Sequence, residues 1–167
     1  VVGSSEFNQM AAIARKYDKY SEYSDAEIDQ LIDTAAKTGC AYIAMVNTVF
    51  DRFVGREDEF EEAFGYPMYM NGDLNYSSVF IDFYCYSDLE RGIGREEREV
   101  RWENFCAERN IDVEVQNQPF MDKETFDSYR EKDIHVNIQT GKFNLLDMEG
   151  RTVYRNVGYH AMCVTDI

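Results

Sequence analysis

The chain is poor in proline, in basic charge and in clustered cysteine. Two prolines in 167 residues, with no low-complexity run, leave no room for a linker, and the length suits one domain rather than two. Lysine and arginine number 17 against 32 aspartates and glutamates, a net charge of −15. A nucleic-acid partner is therefore excluded, since phosphate contacts need clustered cations, and an anionic membrane surface is disfavoured for the same reason. No apolar run is long enough for membrane insertion, and no charged start precedes an apolar stretch, so no signal peptide is expected. The cysteines stand at 40, 85, 106 and 163, no two closer than 21 positions. That spacing excludes a CxxC motif. Two disulfides or four free thiols in a reducing compartment both remain open. With only two histidines there is no zinc pattern, and no cofactor is expected.

What is present is apolar and aromatic. Apolar residues make up 44% of the chain and aromatics 14%, with twelve Tyr and eleven Phe, too rich for disorder. Ser24-Asp25-Ala26-Glu27 is a capping box, and Ile28, Leu31, Ile32 and Ala35 follow at helical spacing, predicting a helix over about 25–37. Gly39 interrupts it. A second helix opens at Cys40, with Ala41, Ala44, Met45, Thr48, Val49 and Phe53 on one face. Ile43, Val46 and Phe50 make it apolar nearly all round, which predicts a helix buried in mid-domain. Glu57 to Phe64 is a short acidic helix, and Tyr66 to Asp73 a loop. Tyr76 to Tyr84 and Glu96 to Arg109 are further helices, separated by a turn at Gly92 and Gly94.

The pattern then changes to alternation. Ile111 to Val115 is a strand signal. Asp122 caps a short helix through Arg130. Ile134, Val136 and Ile138 alternate with His135, Asn137 and Gln139. Phe143 to Leu146, Thr152 to Tyr154 and Tyr159 to Ile167 are further strands. Helices first and strands second is α+β order with an antiparallel sheet. The expected organisation is one domain over 1–167, with an N-terminal extension to residue 24, a helical part over 25–110 and a sheet part over 111–167.

Cys40 is the most informative residue. Unpaired N–H groups at a helix start stabilise a thiolate and can hold an oxyanion, although a buried cysteine is commonly just a small hydrophobe. His160, 120 positions on and just after Gly158, supplies the base a thiol nucleophile needs from elsewhere in the fold. His135 reads as a strand histidine and Trp102 as packing. Glu57, Asp58, Glu59, Glu61 and Glu62 form a solvated helix face that lacks the glycine of a calcium loop. Gly92-Ile93-Gly94 is too short to mark phosphate binding.

Thr38-Gly39-Cys40-Ala41-Tyr42-Ile43-Ala44-Met45 resembles the nucleophile helix of papain-like cysteine peptidases, in particular the bacterial branch similar to bacteriocin-processing peptidases. Gly158-Tyr159-His160-Ala161-Met162-Cys163-Val164-Thr165 resembles that branch's histidine strand. The resemblance implies a papain-like fold, a nucleophile helix packed on a C-terminal antiparallel sheet, and a Cys40–His160 pair that cleaves peptide or amide bonds through an acyl-enzyme. Three positions depart from the pattern. Ala35 and Thr34 stand where the family carries an oxyanion-hole Gln, the nearest being Gln30. Tyr159 replaces a common Gly. The residue that orients the histidine belongs to a later strand, whereas this chain stops seven residues past His160; Asp166 is too close to serve. Removal of the orienting residue with a C-terminal segment, its position beyond residue 167, and its absence from the protein are the three readings left open. The partner is then a peptide or protein substrate. Glutamine deamidation or transamidation by a domain of a secreted bacterial toxin keeps the same pair, and a catalytically inactive acidic module covering a basic protein, as an immunity protein does, is the non-enzymatic alternative.

Overall fold

The structure, a computed structural model, describes residues 4–88, 95–118, 122–132, 134–158 and 160–164. It divides into two compact units, Val1–Gln118 and Pro119–Ile167. The first holds α1 (Ser5–Ala14), a 3-10 turn (Asp18–Tyr20), α2 (Asp25–Thr38), α3 (Cys40–Arg52), α4 (Glu57–Phe64), β1 (Tyr69–Met70), β2 (Asp73–Leu74), α5 (Tyr76–Ser87) and α6 (Arg95–Ala107). The second holds α7 (Lys123–Arg130), β3 (Val136–Thr140), β4 (Phe143–Leu146), β5 (Thr152–Val157) and β6 (His160–Val164). The chain is thus mixed α+β with antiparallel pairing, in the order the sequence predicts. Among the described residues no helix is long and apolar enough to cross a membrane.

Local signals place the helix starts. Glu27 accepts the Ser24 N–H at 2.8 Å while the Ser24 hydroxyl accepts the Glu27 N–H at 3.4 Å, so the capping box fixes where α2 begins. The Asp122 carboxylate accepts the Thr125 N–H at 2.8 Å and caps α7. Gly39 separates α2 from α3 because a Cβ there would overlap the Phe80 ring and the Ala35 carbonyl oxygen. The glycine lets the junction of two helices press directly on α5.

α5 is the centre of the first unit. It is packed by α1, α2, α3 and α6, and most of its residues are buried, Ser78, Asp82 and Ser87 among them. This corrects the expectation that α3 would be the fully enclosed helix. Ile43 is 39% exposed, and Ile43, Asn47 and Asp51, spaced by four, form an outward stripe on α3. The core is built of rings. Phe60 packs against Phe50, Phe53, Phe64 and Tyr66, and Phe83 against Tyr42, Trp102 and Phe105. Residues 5–24 are no appendage: Phe7, Ala11, Ile13, Ala14 and Tyr20 belong to this core, with α1 lying on α5.

Two further expectations need correcting. Ile111 to Val115 is not a strand. Its alternation is real, with Ile111, Val113 and Val115 facing the helical core, but the extended segment is held by helices instead of a ladder. Arg52 donates to the Asp112 carbonyl at 2.5 Å, and the Val115 N–H donates to Glu103 at 2.7 Å. The segment 66–73 is not simply a loop, since β1 and β2 pair across Asn71-Gly72, both with positive φ, the conformation of a tight hairpin turn.

In the second unit β3 pairs with β6 and β4 with β5. Thr140 lies opposite His160 and Phe143 opposite Val157. The two pairs are separate two-stranded antiparallel sheets, and the β4–β5 register shifts at Leu145 and again at Leu146. The alternation predicted to start at Ile134 enters the ladder only at Val136; the Ile134 N–H instead donates to the Tyr129 carbonyl at 2.9 Å. Gly150, at φ 78°, turns the tip of the β4–β5 pair, and Asp147 accepts the N–H groups of Glu149 and Arg151 there. The Gly92–Gly94 turn, Tyr159 and Asp166 fall outside the described residues.

Candidate functional site

Cys40 is the first residue of α3, and no side chain caps that helix start. The Tyr42 and Ile43 N–H groups both turn back to the Gly39 carbonyl, at 2.9 and 3.0 Å. The N–H groups of the opening residues have no acceptor within the helix itself, so a partial positive charge stands beside the sulfur. The thiol is half-buried. None of the four cysteines forms a disulfide. Burial pushes the Cys85 and Cys106 thiols up to about 12. Those two are core side chains and poor nucleophiles near neutral pH. Cys163 is half-buried on β6.

His160 opens β6 with an exposed side chain. It belongs to the second unit and Cys40 to the first. Before Cys40, Thr34 turns its hydroxyl to the Gln30 carbonyl at 2.8 Å, Ala35 is fully buried, and Gln30 is exposed. Hydrogen-bond donors at this helix start are therefore backbone N–H groups. Trp102 is core, 4.7 Å from Phe83 between ring centroids. The five acidic side chains of α4 all face solvent, and among the described residues no group of carboxylates, imidazoles and thiols is placed to hold a metal ion.

One polar constellation escaped sequence reasoning. Asp82, the single acidic residue of α5, is buried amid aromatic side chains. Tyr17 donates to its Oδ1 at 2.5 Å, while Tyr66 and Arg109 donate to its Oδ2, each at 2.9 Å. Arg109 also donates to the Phe105 carbonyl at 2.9 Å, with its guanidinium 3.5 Å from the Phe105 ring centroid. Burial, with the adjacent Asp82 charge, raises the Tyr17 and Tyr66 phenols well above their ordinary value. Burial alone would lower the Arg109 pKa; Asp82 and the two tyrosines more than reverse it. The carboxylate thus receives three donors and the phenols stay protonated. The cluster ties α5 to the segments that follow α1, α4 and α6, which makes it a brace. A lone aspartate inside an apolar helical run was its only trace in the sequence.

The comparisons with known proteins are negative. The chain matches no family model, no curated protein and no solved structure. Function must therefore be argued from the residues themselves.

Proposed function

We propose that the protein is a papain-like thiol hydrolase of peptide or amide bonds, with Cys40 as nucleophile and His160 as general base and then acid. The observation that carries this reading is the setting of Cys40, a half-buried thiol at the uncapped start of a 13-residue helix. The other cysteines of its unit are buried and protonated. The resemblance of residues 38–45 and 158–165 to the papain-like nucleophile helix and histidine strand supplies the partner and the fold.

In this mechanism the Cys40 proton passes to the His160 imidazole and the thiolate attacks the carbonyl carbon. The oxyanion that forms is held by the N–H groups at the start of α3. The C–N bond breaks as the imidazolium proton moves to the leaving amine. Water, deprotonated by His160, then hydrolyses the thioester and frees the thiol. The net charge of −15 favours substrates that carry positive charge.

The test is the alkylation rate of each thiol by iodoacetamide at neutral pH, read by peptide mass mapping. Cys40 is expected to react about tenfold faster than any other cysteine, as a thiolate held at a helix start and paired with imidazole does. His160→Ala should remove the excess rate. Reaction of Cys40 no faster than Cys163, or a rate indifferent to His160→Ala, sinks the reading.

A further inference from the structure

Residues 111–118 follow α6 and run extended, yet they belong to no sheet among the described residues. Side chains alternate in an extended chain. Ile111, Val113 and Val115 face the helical core, and Asp112, Glu114 and Gln116 are exposed. The main chain alternates as well, the N–H and C=O of one residue pointing to one edge and those of the next residue to the other. The edge formed by 111, 113 and 115 lies on α6. There the Ile111 N–H donates to the Cys106 carbonyl at 3.0 Å and the Val115 N–H to Glu103 at 2.7 Å.

The opposite edge is formed by 112, 114 and 116. Arg52 secures it at one point, donating to the Asp112 carbonyl at 2.5 Å. The remaining main-chain groups of this edge are the N–H groups of Asp112, Glu114 and Gln116 and the carbonyls of Glu114 and Gln116. None of them has a hydrogen-bond partner among the described residues. They are the groups that a neighbouring strand would bond. The charge of this part of the chain is acidic. Between residues 103 and 118 stand Glu103, Glu108, Asp112 and Glu114, whereas Arg109, the cation of that stretch, is turned to Asp82.

We infer that the edge formed by Asp112, Glu114 and Gln116 docks an extended basic peptide segment of a partner protein, which adds to it as a strand. Main-chain hydrogen bonds give such an added strand its hold, and the side chains opposite give it selectivity. Asp112 and Glu114 point to one face, away from the core, so lysine or arginine at alternate positions of the partner meets a carboxylate across the pair. An acidic segment is repelled by the same two groups. The inner side chains of residues 111–115 are already packed on helices, so the edge is held in strand form before a partner arrives, which lowers the ordering cost of binding. The surface belongs to the first unit and does not rest on Cys40 chemistry.

The test uses the full chain labelled with 15N and carrying Cys40→Ala, so that no thiol there can cleave the probe. The probe is a seven-residue peptide of alternating lysine and valine, blocked at both ends. It is expected to shift the Glu114 and Gln116 amide resonances to saturation, with a dissociation constant on the order of 0.1 mM. At saturation those two amides should exchange with solvent deuterium about tenfold more slowly. The same peptide methylated at every main-chain nitrogen, and one with glutamate in place of lysine, should each bind at least several-fold more weakly. Glu114→Lys, an exposed substitution, should weaken the lysine peptide and strengthen the glutamate peptide. Shifts that never saturate, or protection that appears on β4 or β5 in place of Glu114 and Gln116, overturn the docking edge. A methylated peptide that binds as tightly overturns strand addition. A glutamate peptide that binds as tightly, or indifference to Glu114→Lys, overturns the basic partner.

Discussion

The two units use apolar residues in opposite ways. In the first, Phe50, Phe60, Phe83 and Phe105 are almost wholly enclosed, because helices on several sides of α5 cover every face of each ring. In the second, Leu145, Leu146, Val153 and Tyr154 are 44–64% exposed and Met148 is fully exposed, while Phe126, Val136 and Ala161 are buried. A two-stranded ribbon has no second layer of its own along most of its length, so alternation on its strands does not produce burial. The same hydrophobic pattern therefore carries stability in one unit and little in the other.

Breaking the aromatic core is the strongest way to sharpen that contrast. Phe60→Ala removes a ring that packs against four others and should cost about 4 kcal/mol. Urea unfolding followed by Trp102, the single tryptophan, reads this unit selectively. Asp82→Asn should cost about 3 kcal/mol in the same experiment, since it leaves Arg109 buried beside a neutral amide. An alkaline titration tests the buried thiols. In the folded state Cys85 and Cys106 ionise near 12, against an ordinary value of 9. Above pH 9 the unfolded chain releases protons that the folded chain keeps, so stability is complete below about 9 and falls as pH rises toward 12. By pH 10 the loss should be about 1 kcal/mol for each thiol, and Cys85→Ala should flatten the slope in that range. Leu145→Ser sits at the other extreme and should shift the Trp102 transition by less than about 0.5 kcal/mol. A shift as large as that of Phe60→Ala would mean that the ribbon's apolar residues contribute to the core after all.

Much of the secondary structure was legible from short-range chemistry. Ser24 and Glu27 marked the start of α2, Gly39 the break before α3, and Asp122 the start of α7. The candidate site was legible only as two residues in suggestive settings, Cys40 at a helix start and His160 on a late strand. What could not be read was which elements enclose which. Alternation at 111–115 looked like a strand because one-sided burial leaves the same pattern whether the partner is a sheet or a group of helices. α3 looked like the central helix because its apolar residues are numerous. α5 took that place although it carries Asp82, because Tyr17, Tyr66 and Arg109 make the buried carboxylate tolerable.

The sequence by itself determined the α+β order, several helix starts, and the placing of Cys40 immediately after the glycine that separates α2 from α3. Caps and periodicities act over a few residues, so they are written locally. Only the tertiary structure decided the fate of the buried charges. Tyr17 and Arg109 reach Asp82 from 65 and 27 positions away. Neutralising a charge inside a protein depends on what the fold brings alongside it, and residue spacing along a chain carries no record of that.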